Sequence, residues 1–201
     1  MLACAAAVLP AQQPPTAAAA PTAPAAPLAQ YAAVKVAVVP VQFYRADSGF
    51  VQTSAPAMRA AFDSLVTAQM AEHGLSGVWA SPTDVMRAAR RNVMYEADPT
   101  NLGAFAVRRG VPKGGQIADP LAGNLRRLVA LHDTRYALMP VELRAEGGRE
   151  GGRLAVRVLL LDARLMGALF QVDVTTDGAA SYSPAMLEQL ARRVVELAVA
   201  P

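Results

Sequence analysis

The chain has 201 residues, a formal net charge of +3 and a single cysteine. This length suffices for one domain with its own hydrophobic core, and one cysteine excludes a core held by internal disulfides. The arginine pairs are scattered along the chain without aromatic residues between them, which argues against a nucleic-acid groove.

Residues 1–32 predict a signal-like segment followed by a disordered Ala/Pro tether, because no charged residue precedes Lys35 and alanine and proline dominate. The apolar run at the start is too short to cross a bilayer. It has the apolar centre and small-residue exit of a secretory signal, but lacks the basic residues that normally precede them. We expect export to the periplasm or outer membrane of a bacterium; the alternative is a disordered cytoplasmic tail.

Cys4 has two interpretations. Residues 2–4 resemble the end of a bacterial lipoprotein signal, in which the cysteine carries the lipid and would hold the domain near a membrane. Alternatively, Cys4 is an ordinary small residue of a signal that is removed near Ala11.

The domain predicted over residues 33–201 begins with an apolar strand at 34–44 that contains Pro40. Apolar residues at spacings of three and four predict a helix at about 56–73, and Gly74 follows as a stop. A short strand at 77–80 would complete a βαβ unit.

Three further helices are predicted from the same sequence pattern, a capping residue followed by proline at the first helical position. The pairs are Ser81 with Pro82, Asp119 with Pro120, and Ser183 with Pro184.

Three strands at about 135–146, 153–163 and 168–176 follow each other through tight turns and predict an antiparallel meander. The fold class is therefore α/β with α+β character: a βαβ unit, then the meander, in a mixed sheet with helices packed on it. We expect the strand at 34–44 and the strand at 153–163 to be central. Pro140 repeats the pattern, so Pro40 is no accident, and Pro40 is expected where the first strand leaves its hydrogen-bond ladder.

Two short runs accompany this order of elements: Val39, Pro40 and Val41 end the first strand, and Leu161, Asp162 and Gly167 lie in the meander. Together they resemble the α/β domain shared by the amino-terminal part of the Tol-Pal translocation protein, the curli secretion lipoprotein and the lipoprotein activators of penicillin-binding proteins. The resemblance covers about 34–200 and implies a domain that binds another envelope or membrane protein. The segment 93–117 has no counterpart in it.

The segment 93–117 is a long irregular loop rich in glycine and proline, so we expect it to serve function more than core packing. It carries Tyr95, Phe105, Arg108 and Arg109, and aromatic residues beside arginine are typical of an interface centre. These four are the candidate partner-binding residues. The alternative is that Tyr95 and Phe105 fold the loop back onto the domain.

Candidate chemistry is sparse. His132 with Asp133 suggests a metal ligand pair, but His73 is the only other histidine, and helix C-capping explains both histidines better. Lys113 lies among glycines, but the segment lacks the spacing of a phosphate-binding loop. Residues 47–49 could hold the serine of a hydrolase, but no histidine base is nearby in sequence, so a turn explains them better. No catalytic, cofactor or metal residue is predicted.

Glu142 and Asp173 could approach each other on neighbouring strands, but such carboxylates usually face solvent. Trp79 is expected in the core, and an interface role for Trp79 and Tyr44 is the alternative.

The function predicted from the sequence is a non-catalytic envelope domain that binds another protein or serves as an accessory subunit of a membrane-associated complex. It needs no cofactor. The alternative is an enzyme whose site is built around 93–117. Perturbed ionisable groups near that loop would favour the enzyme, and an exposed apolar patch would favour binding.

Overall fold

A computed structural model describes residues 26–47, 49–92, 94 and 98–199. The predicted lipidation site Cys4, the rest of 1–25 and the candidate interface residue Tyr95 lie outside the described residues.

The helices form where caps and prolines predict them. Ser81 accepts the backbone N–H of Asp84, whose carboxylate accepts the N–H of Ser81 in return. The helix predicted to begin at Pro120, with Asp119 as its cap, begins one residue later, and Pro120 is its N-cap residue. No described helix is long and apolar enough to span a bilayer. The helices are α1 (Ala55–Glu72), α2 (Pro82–Arg91), α3 (Leu121–Leu131) and α4 (Pro184–Val195).

The strands form one mixed sheet, as the sequence predicts. The long strand β3 pairs antiparallel with β4, and β4 pairs antiparallel with β5. On its other edge, β3 pairs parallel with β1 and then with β2, which lie end to end. The strands are β1 (Val36–Val38), β2 (Phe43–Ala46), β3 (Tyr136–Gly148), β4 (Gly151–Asp162) and β5 (Gly167–Thr175).

The two prolines occupy one gap in this edge. Pro40 lies between β1 and β2, outside the ladder, as predicted. Pro140 lies within β3 between the residues paired with β1 and those paired with β2, and its carbonyl accepts the N–H of Gln42 at 3.2 Å. Since the N–H and C=O of a strand residue point to the same side, the N–H that Pro140 lacks would face this gap. Neither proline therefore removes a ladder bond.

Two strand predictions are wrong. The first strand is not central, because β1 lies at the edge of the sheet. The expected strand at 77–80 is a single parallel bridge between Ala80 and Ala37. The N–H of Trp79 donates to the carbonyl of Leu75 at 2.8 Å, a helical i to i+4 bond that occupies the donor a strand would need.

Each face of the sheet carries its own core. On the first face, α1 and α4 bury side chains such as Phe62 and Leu190 against β3 and β4. On the second face, α3 and the segment 98–117 bury Leu125 and Leu102 against the opposite side of the same strands. Trp79 belongs to the first core, as predicted, and its indole N–H donates to the carbonyl of Tyr31 at 3.0 Å.

Residues 26–32 do not behave as the predicted tether. Leu28 is 1% exposed, and its N–H donates to the carbonyl of Leu197 at 2.7 Å. The ring of Tyr31 packs edge-on against Tyr136, with 5.1 Å between centroids. The domain therefore begins at or before residue 28, and the predicted boundary at 32/33 is too late.

Candidate functional site

A cluster of charged side chains lies on the second face of the sheet, at the end that α3 leaves uncovered. The strand register places Glu142 opposite Arg157, and Arg157 opposite Asp173. We call this cluster the arginine face; it consists of Arg45 on β2, Glu142, Arg144 and Glu146 on β3, Arg153 and Arg157 on β4, and Asp173 on β5.

A β-bulge puts Glu142 on this face. The register of β3 against β4 shifts between Pro140 and Glu142. As a result, Val141 and Glu142 both face the second side, and Leu143 returns to the first core. With strict alternation, Glu142 would point into the apolar first core.

Glu142 is buried and paired. Its side chain is 8% exposed, and one carboxylate oxygen accepts hydrogen bonds from both Nε and Nη2 of Arg108. An unpaired carboxylate at this buried position would lower the stability of the fold by roughly several kcal/mol. Arg108 is therefore held beside Glu142 by the ion pair. The expectation that Glu142 faces solvent is wrong.

Asp173 joins the remaining arginines across the sheet. Arg157 reaches both of its oxygens, at 2.8 Å and 2.9 Å, and Arg144 adds a third bond at 3.0 Å. The hydrogen bonds from Arg157 lower the pKa of Asp173. Glu142 and Asp173 do not approach each other, because β4 lies between their strands.

Glu146 completes the network. It accepts a hydrogen bond from Arg144 at 2.9 Å and one from Arg153 at 3.1 Å. Burial acts to raise the pKa of Glu146, but the bonds from the two arginines outweigh it, so the pKa is lowered. Carboxylates held ionised by arginine are poor proton acceptors at neutral pH, and the arginine face therefore suits recognition better than acid–base catalysis.

Two predicted interface residues meet at the border of the arginine face. Phe105 is 68% exposed, and its ring lies 4.9 Å from that of Phe43. The guanidinium of Arg108 lies 5.0 Å from the centre of the Phe43 ring. The carbonyl of Arg108 accepts a hydrogen bond from Arg157 at 3.0 Å, and Arg109 is exposed. The structure thus places Phe105, Arg108 and Arg109 beside one charged surface.

The segment 98–117 is more structural than predicted. It contributes Leu102, Ala104, Val107 and Ile117 to the second core, all nearly inaccessible to solvent. Part of this segment therefore packs in the second core, which its composition does not predict, although Phe105 itself points outward.

A cavity of about 580 Å³ lies between α1 and α2. Thr67 and Thr83 join the two helices at one end, with their hydroxyl oxygens 3.1 Å apart. Half-buried Asp63 accepts the N–H of Val41 at 3.0 Å, and burial raises the pKa of Asp63 to about 7. The lining comprises Val41, Pro56, Arg59, Ala60, Asp63, Ser64, Pro82, Thr83, Met86, Arg87, Arg90 and Thr100.

The other candidates for chemistry have structural positions. His73 and His132 are the C-cap residues of α1 and α3, as predicted. In the part of the chain that the structure describes, no three His, Cys, Asp or Glu side chains cluster as metal ligands would.

Several site residues escaped the sequence interpretation. Phe43 and Arg144 lie in predicted strands and Asp63 in a predicted helix, and the sequence analysis assigns none of them a role. A usable signal was Arg157, which interrupts an otherwise apolar strand and thereby marks where the sheet face becomes polar. For Asp63, the only signal is its position directly after the buried Phe62.

No family model and no curated protein matches this chain. Among solved structures, it is similar to the PelC dodecamer from Paraburkholderia phytofirmans, with 14% identity over 83% of this chain and 89% of that chain, at a TM-score of 0.39. It is also similar to lipoprotein GNA1162 from Neisseria meningitidis, with 16% identity over 81% and 96%, at a TM-score of 0.42. For LpoB from E. coli the identity is 14% over 89% and 84%, at a TM-score of 0.40. At these TM-scores the similarity supplies no function for this chain.

Proposed function

We propose that this chain is a non-catalytic protein-binding domain of the bacterial cell envelope, acting as an accessory subunit of a membrane-associated complex. The observation that carries the proposal is the exposed ring of Phe105, supported from below by Phe43 and flanked by arginines.

The arrangement has the physical properties of an interface centre. Aromatic and arginine side chains are enriched at the centres of protein interfaces and at binding hot spots. Here the ring of Phe105 already packs against that of Phe43 at a tilt of 51°, and Glu142 holds Arg108 in place, so few side chains remain to be ordered on binding.

The charge of this surface selects the partner. Arginines outnumber carboxylates on the arginine face, and Arg109 adds to them at its border. A partner surface with acidic residues around an apolar recess fits this pattern, and the complex should weaken with added salt.

The location in the envelope rests on the signal-like composition of residues 1–32. Cell fractionation of the tagged whole chain tests it, and Cys4→Ala separates a lipid anchor from a removed signal. Recovery of both forms in the cytoplasm would overturn the envelope assignment.

The binding surface is tested with Phe105→Ala combined with Arg109→Ala. Both side chains are exposed, so the free energy of unfolding should change by about 1 kcal/mol or less, mainly through the lost ring stacking. Capture of the partner from solubilised native membranes, identified by mass spectrometry, should weaken at least about tenfold, which is about 1.4 kcal/mol.

A matched control is Arg164→Ala combined with Leu165→Ala, because Leu165 is 61% exposed and Arg164 precedes it in the turn between β4 and β5. This variant should capture the same partner as the parent. Equal capture by both double variants, or equal loss in both, would contradict the assignment of the surface around Phe105.

The second candidate function, an enzyme built around 93–117, is favoured by one observation. Asp63, whose pKa is raised to about 7 by burial, lines the same cavity as Thr100 of that segment. A carboxyl with such a pKa is suited to general acid–base catalysis. Turnover of a chromogenic ester, amide or phosphate substrate by the parent and not by Asp63→Asn would favour the enzyme.

A further inference from the structure

The cavity between α1 and α2 is separate from the arginine face and has a mixed lining. Apolar side chains from both helices and from the turn after β1 form one part of its wall: Val41, Pro56, Ala60, Pro82 and Met86. Its volume of about 580 Å³ falls within the usual range for small-molecule sites.

We propose that this cavity binds a small amphiphilic carboxylate, a molecule with one carboxylate group and an apolar body. A medium-chain fatty acid and the C-terminus of an apolar peptide share this chemistry.

The positive charge of the cavity comes from three arginines, which differ in their hydrogen-bond and ion-pair partners. Arg59 donates to the carbonyl of Gln42 at 3.1 Å, and Arg87 pairs with Asp84 at 2.6 Å. Among the described residues, Arg90 makes no hydrogen bond or ion pair. One guanidinium that makes no ion pair within the described part of the chain matches one negative charge of a ligand, and a carboxylate fits its fork of donors.

Asp63 adds a second polar contact. Its Oδ1 accepts the N–H of Val41, and its Oδ2 has no hydrogen-bond partner within the described part of the chain. In its neutral form, the carboxyl can donate its proton to a carboxylate oxygen of the ligand, whereas its ionised form would repel the same group. Since the pKa of Asp63 is raised to about 7, both forms are accessible near neutral pH.

The sign of the pH dependence follows from the charges around Asp63. Arg59 faces it from α1, and Arg87 and Arg90 from α2, with Asp84 neutralising Arg87. Apart from these arginines, Asp63 is the ionisable side chain in the described lining of the cavity. Binding should therefore be tighter at about pH 6 than at about pH 8.

The test is isothermal titration of the whole chain with octanoate, with N-acetyl-Ala-Ala-Leu carrying a free carboxylate, and with the C-terminal amide of the same peptide. At least one carboxylate should bind, and the amide should bind at least about tenfold more weakly than its acid. Binding of octanoate alone identifies an acyl chain as the apolar body; binding of the peptide acid identifies a chain terminus. Inorganic phosphate serves as a control for nonspecific anion binding.

Variants of the lining residues test whether the ligand binds in the cavity. Arg90→Ala should weaken binding at least about tenfold, and Arg91→Ala, which alters an exposed arginine that does not line the cavity, should leave it within about twofold. Asp63→Asn keeps an acceptor for Val41 and should abolish the pH dependence. The proposal is overturned if neither carboxylate binds, if phosphate or the amide binds as well as the acid, or if Arg90→Ala behaves like Arg91→Ala.

Discussion

Replacing Gln42 with leucine should release the segment 98–117 from the sheet. Gln42 lies in the turn between β1 and β2 and is 4% exposed. Its amide NH₂ donates to the carbonyls of Pro40 and Pro99 at 2.7 Å and 2.8 Å, and its carbonyl accepts the N–H of Leu102 at 2.9 Å. One side chain thus satisfies three buried backbone groups.

Gln42→Leu keeps a similar volume and leaves those three groups unpaired. Each buried unpaired group costs about 1 kcal/mol or more, so the loss should be about 3 kcal/mol in total. For a domain of this size, that corresponds to a fall in melting temperature of roughly 6–12 °C. The backbone amides of 98–117 should also exchange faster with deuterium.

The matched control is Gln171→Leu, which removes an anchor at the other end of the same segment. Gln171 accepts the N–H of Val111 at 2.7 Å, but it is exposed, so water can replace it and the loss should be about 1 kcal/mol or less. Urea unfolding of both variants measures the difference. Equal losses in the two variants would refute the idea that buried hydrogen bonds at Gln42 hold the segment.

Three further predictions concern stability. Leu28→Ala should lower the free energy of unfolding in urea by about 2–3 kcal/mol, because this side chain is buried. Deletion of 1–25 should leave the melting temperature nearly unchanged. Similar losses of stability in the two variants would contradict a domain that begins near residue 28. Gly103→Ala should destabilise more than Gly74→Ala, since both have positive φ but only the first Cβ would clash, 2.5 Å from a proline ring. Asp63→Asn should be more stable than the parent at about pH 8, by an amount on the order of 1 kcal/mol or more, and equally stable at about pH 3, below the unfolded-state pKa of an aspartate. The parent alone loses stability as the pH rises towards 7, because burial raises the folded-state pKa of Asp63 to about 7 and the unfolded chain releases that proton first; a pH-independent difference would refute this.

Local signals were enough to predict the helices and the meander. Ser81 with Pro82, and Gly74 after α1, act within one turn of the chain, so neighbouring residues alone determine them. The strands of the meander are consecutive and joined by tight turns, which leaves little choice of pairing. The same reasoning fails for β1, because its place at the edge depends on which distant strand it pairs with.

The site was only partly predictable for the same reason. Phe105, Arg108 and Arg109 could be singled out by composition, but their shared support could not. Glu142 is 34 residues from Arg108 along the chain, and no local pattern reports that pair. The burial of Leu102 was missed because irregular segments lack a period from which a buried side can be read.

The bulge in β3 links the prolines to the proposed binding surface. Pro140 leaves the pairing with β1 and β2 open at one point, and the register against β4 shifts directly after it. The shift turns Glu142 away from the first core and towards Arg108, whose guanidinium then lies over Phe43 beside Phe105. Without the bulge, strict alternation along β3 would turn Glu142 into the apolar first core, where a carboxylate is costly. The irregular β3 is therefore a condition for the exposed aromatic and its arginines to stand on one surface.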